Sequence, residues 1–142
     1  VAEIGRRPLI SGIDHIAIAV HSLGDAVPFY EKLLGLKLEG IEEVPEQKVR
    51  VAFLQVGTTR IELLEPTTED SPISKFLATR GPGLHHIALA TDGLEDRLLS
   101  LKGSGVRLID ESPKLGAEGK KIAFVHPKST SGVLLELCTE ND

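Results

Sequence analysis

Cysteine is all but missing from this chain: Cys138 stands alone among 142 residues. That excludes an intrachain disulfide and suits a reducing compartment. Basic residues are also in short supply, with Lys+Arg at 16 against Asp+Glu at 21 and a formal net charge of −5. A protein that reads polyanions needs a basic face, so no nucleic acid is expected as a partner. No apolar run approaches the ~18 residues of a membrane-spanning helix, and Val1–Ile10 carries no secretory apolar segment. Neither a membrane nor export is expected; the expected compartment is the cytoplasm, or the mitochondrial matrix for a trimmed eukaryotic form. Phosphate-loop signatures are missing too, since Gly116 and Gly119 belong to neither a Gly-Lys-Ser/Thr nor a Gly-x-Gly-x-x-Gly pattern. No Ser-His-Asp constellation can be assembled. What remains is 41% apolar and 26% charged residues over one domain's usual length, enough for a folded core.

An internal repeat organises that length. Asp14-His15-Ile16-Ala17-Ile18-Ala19-Val20 resembles His85-His86-Ile87-Ala88-Leu89-Ala90-Thr91, at an offset of 71 between His15 and His86. Val51-Ala52-Phe53-Leu54 resembles Ile122-Ala123-Phe124-Val125 at the same offset. Arg60-Ile61-Glu62-Leu63-Leu64 resembles Leu134-Leu135-Glu136-Leu137-Cys138, shifted by 74 between Glu62 and Glu136. Three blocks in one order predict two tandem modules, at about 13–65 and 84–139, joined by a Pro- and Gly-rich linker at about 66–83.

Each module reads as βαβββ. In the first, strands fall at about 13–20, 36–44, 48–57 and 59–65, with a helix at about 26–34. Ala26, Phe29, Tyr30, Leu33 and Leu34 make its apolar stripe. Asp25 is placed to cap it, Pro28 to fall in its first turn, and Gly35 to end it. In the second, strands fall at about 84–91, 105–110, 120–126 and 132–138, with a helix at about 93–102; Lys114–Gly119 reads as a loop. The linker has room for a short helix near Ile73–Leu77. The predicted fold is α+β: two modules, each too small for a large core of its own, pair into one curved sheet around a cleft.

Strand alternation separates the faces of that sheet. Ile16, Ile18 and Val20 point one way, toward a helix; His15, Ala17 and Ala19 point the other. Ile87 and Leu89 oppose His86, Ala88 and Ala90 in the same manner. Glu62 opposes Ile61 and Leu63, and Glu136 opposes Leu135 and Leu137. A carboxylate inside such apolar runs is costly to bury unless paired or metal-bound. Two imidazoles and two carboxylates, one of each per module, make an N₂O₂ set suited to Co²⁺, Mn²⁺, Fe²⁺, Ni²⁺ or Zn²⁺ rather than to Ca²⁺ or Mg²⁺. His85 reads as structural, His21 as exposed and His126 as a turn contact. Cys138 reads as a small buried residue.

At these residues the chain resembles the vicinal-oxygen-chelate superfamily, which includes glyoxalase I, extradiol dioxygenases and metal-free antibiotic-resistance binders. Within it the resemblance is to the methylmalonyl-CoA epimerase family. The segments that carry it are Asp14–Ala17, Val44–Gln47, Leu64–Pro66, Asp70–Ile73, Gly83–Ala88, and the longest, Pro113–Lys128, closed by Gly132–Leu137. The resemblance implies metal ligands at His15, Glu62, His86 and Glu136, with one divalent ion, Co²⁺ first. It implies an acyl-CoA substrate, inversion at the carbon α to the thioester, Glu136 as a catalytic base, and a homodimer. Val51 departs from those epimerases that carry a carboxylate at its position, though other members also have an aliphatic residue there; a metal-bound water, Glu46 and Gln47 are the weak alternatives for that second proton carrier. Lys114, Lys120, Lys121 and Lys128 are the cations nearest the distinctive block for CoA phosphates. A glyoxalase I-type lyase and a metal-free small-molecule binder are the alternative readings.

Overall fold

The computed structural model describes residues 10–139. Eight strands form one mixed sheet that curls into a half-barrel, with three α-helices among the described residues. The first half supplies β1 (Ile10–Ala19), β2 (Lys37–Val44), β3 (Val49–Val56) and β4 (Thr59–Pro66). The second supplies β5 (Gly83–Thr91), β6 (Lys114–Leu115), β7 (Lys121–Val125) and β8 (Leu135–Thr139). The spatial order β2-β3-β4-β1-β5-β8-β7-β6 keeps each half together and joins them along an antiparallel β1–β5 seam. β1 and β4 run parallel, as do β5 and β8, so each half repeats the other's pairing.

Helices α1 (Leu23–Pro28) and α3 (Leu94–Gly103) cover one face of the sheet. Leu23 and Val27 pack on Ala52, Leu54 and Leu63, and Leu94 and Leu98 pack on Ala123, Val125 and Leu137. Burying a side chain such as Leu98 contributes about 1.5–3 kcal/mol. The small face of β1 is not left open throughout. A linker helix, α2 (Pro72–Arg80), longer than the expected 73–77, lays Ile73 and Leu77 over Ala17 and Ala19. Alanine leaves the space into which that helix docks.

Two local expectations are corrected. The first helix starts at Leu23 and is capped by Ser22, whose Oγ accepts from the Asp25 N–H at 3.3 Å; Asp25 lies within the first turn. Pro28 therefore ends the α-helix rather than opening it, and its missing N–H forces a looser register. A π-helical turn, Phe29–Leu33, follows, with the Leu34 N–H donating to Phe29 O at 3.0 Å. The change turns part of the predicted stripe outward: Ala26 and Tyr30 still pack against the core beside buried Leu23 and Val27, whereas Phe29, Leu33 and Leu34 are exposed, Leu33 by 77%. The strand expected at 105–110 is reduced to one bridge, Leu108 to Val125. Backbone bonds from the His126 N–H to Arg107 O at 3.0 Å and from the Ile109 N–H to Phe124 O at 2.9 Å flank it, and the Asp110 carboxylate, in place of a backbone carbonyl, accepts the Phe124 N–H at 2.8 Å. Pro113 lacks a donor, and edge pairing resumes only at the two-residue β6, within the stretch read as a loop. No helix among the described residues is long and apolar enough to cross a membrane.

Candidate metal centre

The seam places two symmetry-related rows of side chains on the concave face. One row runs Phe53, Glu62, Ala17, His86 across β3, β4, β1 and β5. The other runs Phe124, Glu136, Ala88, His15 across β7, β8, β5 and β1. In each row an alanine separates one half's glutamate from the other half's histidine. With only a methyl group between them, the two longer side chains have room to lean toward each other. Ala17 and Ala88 are wholly buried, and His15, Glu62, His86 and Glu136 are each at most 6% exposed.

Three of the four side chains converge on one point. His15 Nε2 and His86 Nε2 stand 3.3 Å apart, and Glu136 Oε1 lies 3.0 Å from His86 Nε2 and 3.6 Å from His15 Nε2. Ligand atoms about 2.1 Å from a common ion stand roughly 3.0–3.5 Å from one another; two of these separations fall in that range and the third, 3.6 Å, lies just beyond it. Glu62 approaches from the other side, its Oε2 at 3.3 Å from His15 Nδ1. Asp14 Oδ2 takes that same nitrogen at 2.8 Å. The donor set of His15, His86 and Glu136 can hold a divalent metal, and Asp14, His15 and Glu62 form a second cluster sharing one residue with it.

The electrostatics describe a site short of positive charge. Burial works against a charge on His15, but hydrogen bonds to Asp14 and Glu136 and the charge of Glu62 raise it to about 10. Burial likewise opposes a charge on Glu136, and its hydrogen bonds with His15 and His86 hold it down at about 2. For Glu62 burial wins, pushing it up to about 7. The hydrogen bond from His15 holds Asp14 at about 2, with Lys120 Nζ 3.4 Å from its other oxygen.

A stability test follows from these directions. Glu62 and His15 both bind a proton more tightly folded than unfolded. Their stabilising effect is complete below the unfolded values and is lost as pH rises through about 7 and about 10 respectively. Chelator-treated protein is expected to melt at progressively lower temperature from pH 5 to pH 9. A divalent cation held by these side chains should remove that fall and turn it upward below the unfolded histidine value, because only the unfolded chain then binds the protons. Differential scanning calorimetry measures both curves.

The rows sit in a cavity of about 250 Å³. One wall is apolar, from Val44, Val49, Val51, Leu64 and Ile73, and the opposite wall carries Ile109, Ile122, Phe124 and Leu134. Lys114 and Lys120 reach the cavity but are engaged by Asp110 (3.1 Å) and Asp14 (3.4 Å). Lys121 and Lys128 are exposed and outside it, as is Glu46; Gln47 lines it and donates to Leu115 O at 3.0 Å. Cys138 is a buried lining residue whose thiol pKa is pushed up by burial. His21 is exposed, and His126 Nδ1 accepts the Lys128 N–H at 3.0 Å. The sequence reading missed two contacts: Asp14 on His15 and His85 on His86 Nδ1 at 2.9 Å. The signal was present, because each residue immediately precedes its histidine in the repeat.

Fold and site together define a class: paired βαβββ halves that share one sheet and build a donor-lined cup at their seam. Residues 14–124 match the Glyoxalase/Bleomycin resistance protein/Dioxygenase superfamily. The chain belongs to that superfamily. It is 53% identical to the uncharacterized protein YqjC of Bacillus subtilis, over 89% of this chain and 90% of that protein. It is 40% identical to the mitochondrial methylmalonyl-CoA epimerase of Homo sapiens, over 88% of this chain and 72% of that protein. Among solved structures, a substituted form of the Streptomyces coelicolor methylmalonyl-CoA epimerase in complex with 2-nitronate-propionyl-CoA superimposes with a TM-score of 0.88. The identity is 40%, covering 92% of this chain and 95% of that one.

Proposed function

We propose that this chain is a divalent-cation-dependent epimerase that interconverts (2R)- and (2S)-methylmalonyl-CoA. The observation that carries the reading is the convergence of His15 Nε2, His86 Nε2 and Glu136 Oε1 inside the cavity of a chain so similar to such epimerases. His15, Glu62, His86 and Glu136 would hold the ion, with Glu62 turning from His15 Nδ1 to complete an N₂O₂ set. Co²⁺ is the first choice, and Mn²⁺, Ni²⁺, Fe²⁺ and Zn²⁺ suit the same donors. When bound, the cation supplies Lewis-acid stabilisation for the negative charge that develops on the thioester oxygen, worth several kcal/mol.

The protein's own groups do the rest. A cavity of about 250 Å³ is smaller than the ~300–1,000 Å³ of sites that enclose a whole drug-sized ligand. It takes the acyl end and leaves the nucleotide of CoA outside. The valine-rich wall, Val44, Val49 and Val51, sheds water from the α-carbon. Glu136 removes the α-proton at a carboxylate oxygen. Val51 offers methyl groups where some epimerases carry a carboxylate, so it returns no proton. Glu62, as a ligand of the ion, is a bare carboxylate and carries none either, so the proton that reaches the opposite face comes from solvent. A homodimer in the cytoplasm belongs to the same proposal. Incubating one epimer in D₂O should give α-deuterium incorporation together with racemisation; absence of both rejects the activity. Turnover of the methylglyoxal–glutathione hemithioacetal instead would place the chain with the lyases.

A further inference from the structure

The residues just before the two histidines, Asp14 and His85, occupy equivalent places in the repeat, 71 positions apart, like the histidines themselves. Each contacts the Nδ1 side of its neighbour. Asp14 Oδ2 lies 2.8 Å from His15 Nδ1, and His85 Nδ1 lies 2.9 Å from His86 Nδ1. Each of these contacts leaves Nε2 facing the point where the donors converge. Both neighbours are themselves braced. Lys120 Nζ reaches Asp14 Oδ1 at 3.4 Å, and Phe76 of α2 meets the His85 ring edge-on at 5.0 Å between centroids.

We infer that Asp14 and His85 are paired positioning residues, each fixing the tautomer and angle of the histidine that follows it, and that their unlike chemistry makes the two imidazoles unequal ligands. The inference rests on the cation site proposed above. For Nε2 to present a lone pair, Nδ1 must carry the proton and donate it. His15 donates to a carboxylate, with Glu62 Oε2 farther off at 3.3 Å. His86 donates to the Nδ1 lone pair of a second imidazole. A hydrogen bond to an ionised acceptor is roughly twice as strong as one between neutral groups. His15 is therefore the more firmly held and more electron-rich ligand, and His86 the one that yields first. A duplicated fold that kept its ligands alike has made their supports different.

Partners of this kind change metal affinity by about 10–100-fold when removed. Co²⁺ titrations followed by visible absorption are to be run on the chelated wild-type chain and on D14A, D14N, H85A, H85N and H85Q, with thermal unfolding to verify the fold. Affinity is expected to fall by about 100-fold in D14A and about 10-fold in H85A, each with an altered Co²⁺ spectrum. D14N, which keeps an acceptor oxygen, should recover part of the loss. H85N sets its amide oxygen near the Nδ1 position and should restore both affinity and spectrum; H85Q should not. If the wild type binds Co²⁺ and every variant matches it in affinity and spectrum, the positioning role is overturned while the cation site stands. If the wild type itself binds no Co²⁺, both are overturned.

Discussion

Glu136→Gln is expected to lower turnover of methylmalonyl-CoA by about 10³-fold, within the range that a positioned acid–base group supplies. The substrate's KM should change only a few-fold. Gln keeps an oxygen where Glu136 Oε1 meets His86 Nε2 at 3.0 Å, so cation affinity should weaken far less than turnover. It lacks the second carboxylate oxygen and the charge needed to accept the α-proton. Steady-state rates, deuterium exchange and a Co²⁺ titration on the same preparation separate these effects. A variant with full turnover would remove Glu136 from the chemistry.

Ala88→Leu is expected to abolish cation binding and turnover together, each by more than about 100-fold, though it alters no ligand. Ala88 is wholly buried between His15 on β1 and Glu136 on β8. A leucine there projects branched methyl groups into the space through which His15 Nε2 and Glu136 Oε1 approach to 3.6 Å. Overpacking of this kind costs about 1–3 kcal/mol of stability, so the melting temperature should fall while the fold persists. The contrast with Glu136→Gln is diagnostic: one variant loses turnover with most of its affinity kept, the other loses both. Isothermal titration with Co²⁺ and the epimerisation assay check it. Wild-type affinity in Ala88→Leu would mean that the small residues are not what makes room for the site.

The same alanines mark how far the sequence could be read. Period-two alternation put His15, Ala17 and Ala19 on one face of β1, and the repeat offset carried that face to His86, Ala88 and Ala90. The strand order β4-β1-β5-β8, which alternation alone does not supply, interleaves the glutamates with the histidines in the structure. Three features escaped. The helix at 26–34 had the right period, but Pro28 falls where its missing N–H breaks the ladder, and the stripe rotates at the π-helical turn. The strand at 105–110 had the right composition, but the Asp110 side chain outcompetes the edge backbone for the Phe124 N–H. Which nitrogen of His15 faces Glu62 is a matter of side-chain rotation that no spacing encodes; the carboxylate of Asp14 and the shortage of positive charge decide it.

The most direct measurement restores epimerase activity to chelated protein by stepwise addition of Co²⁺. Activity should start near zero, rise in proportion to added ion, and stop rising at one equivalent per chain. Full activity in the chelated protein, or recovery that continues through several equivalents without a break, would contradict a single cation held between the two halves.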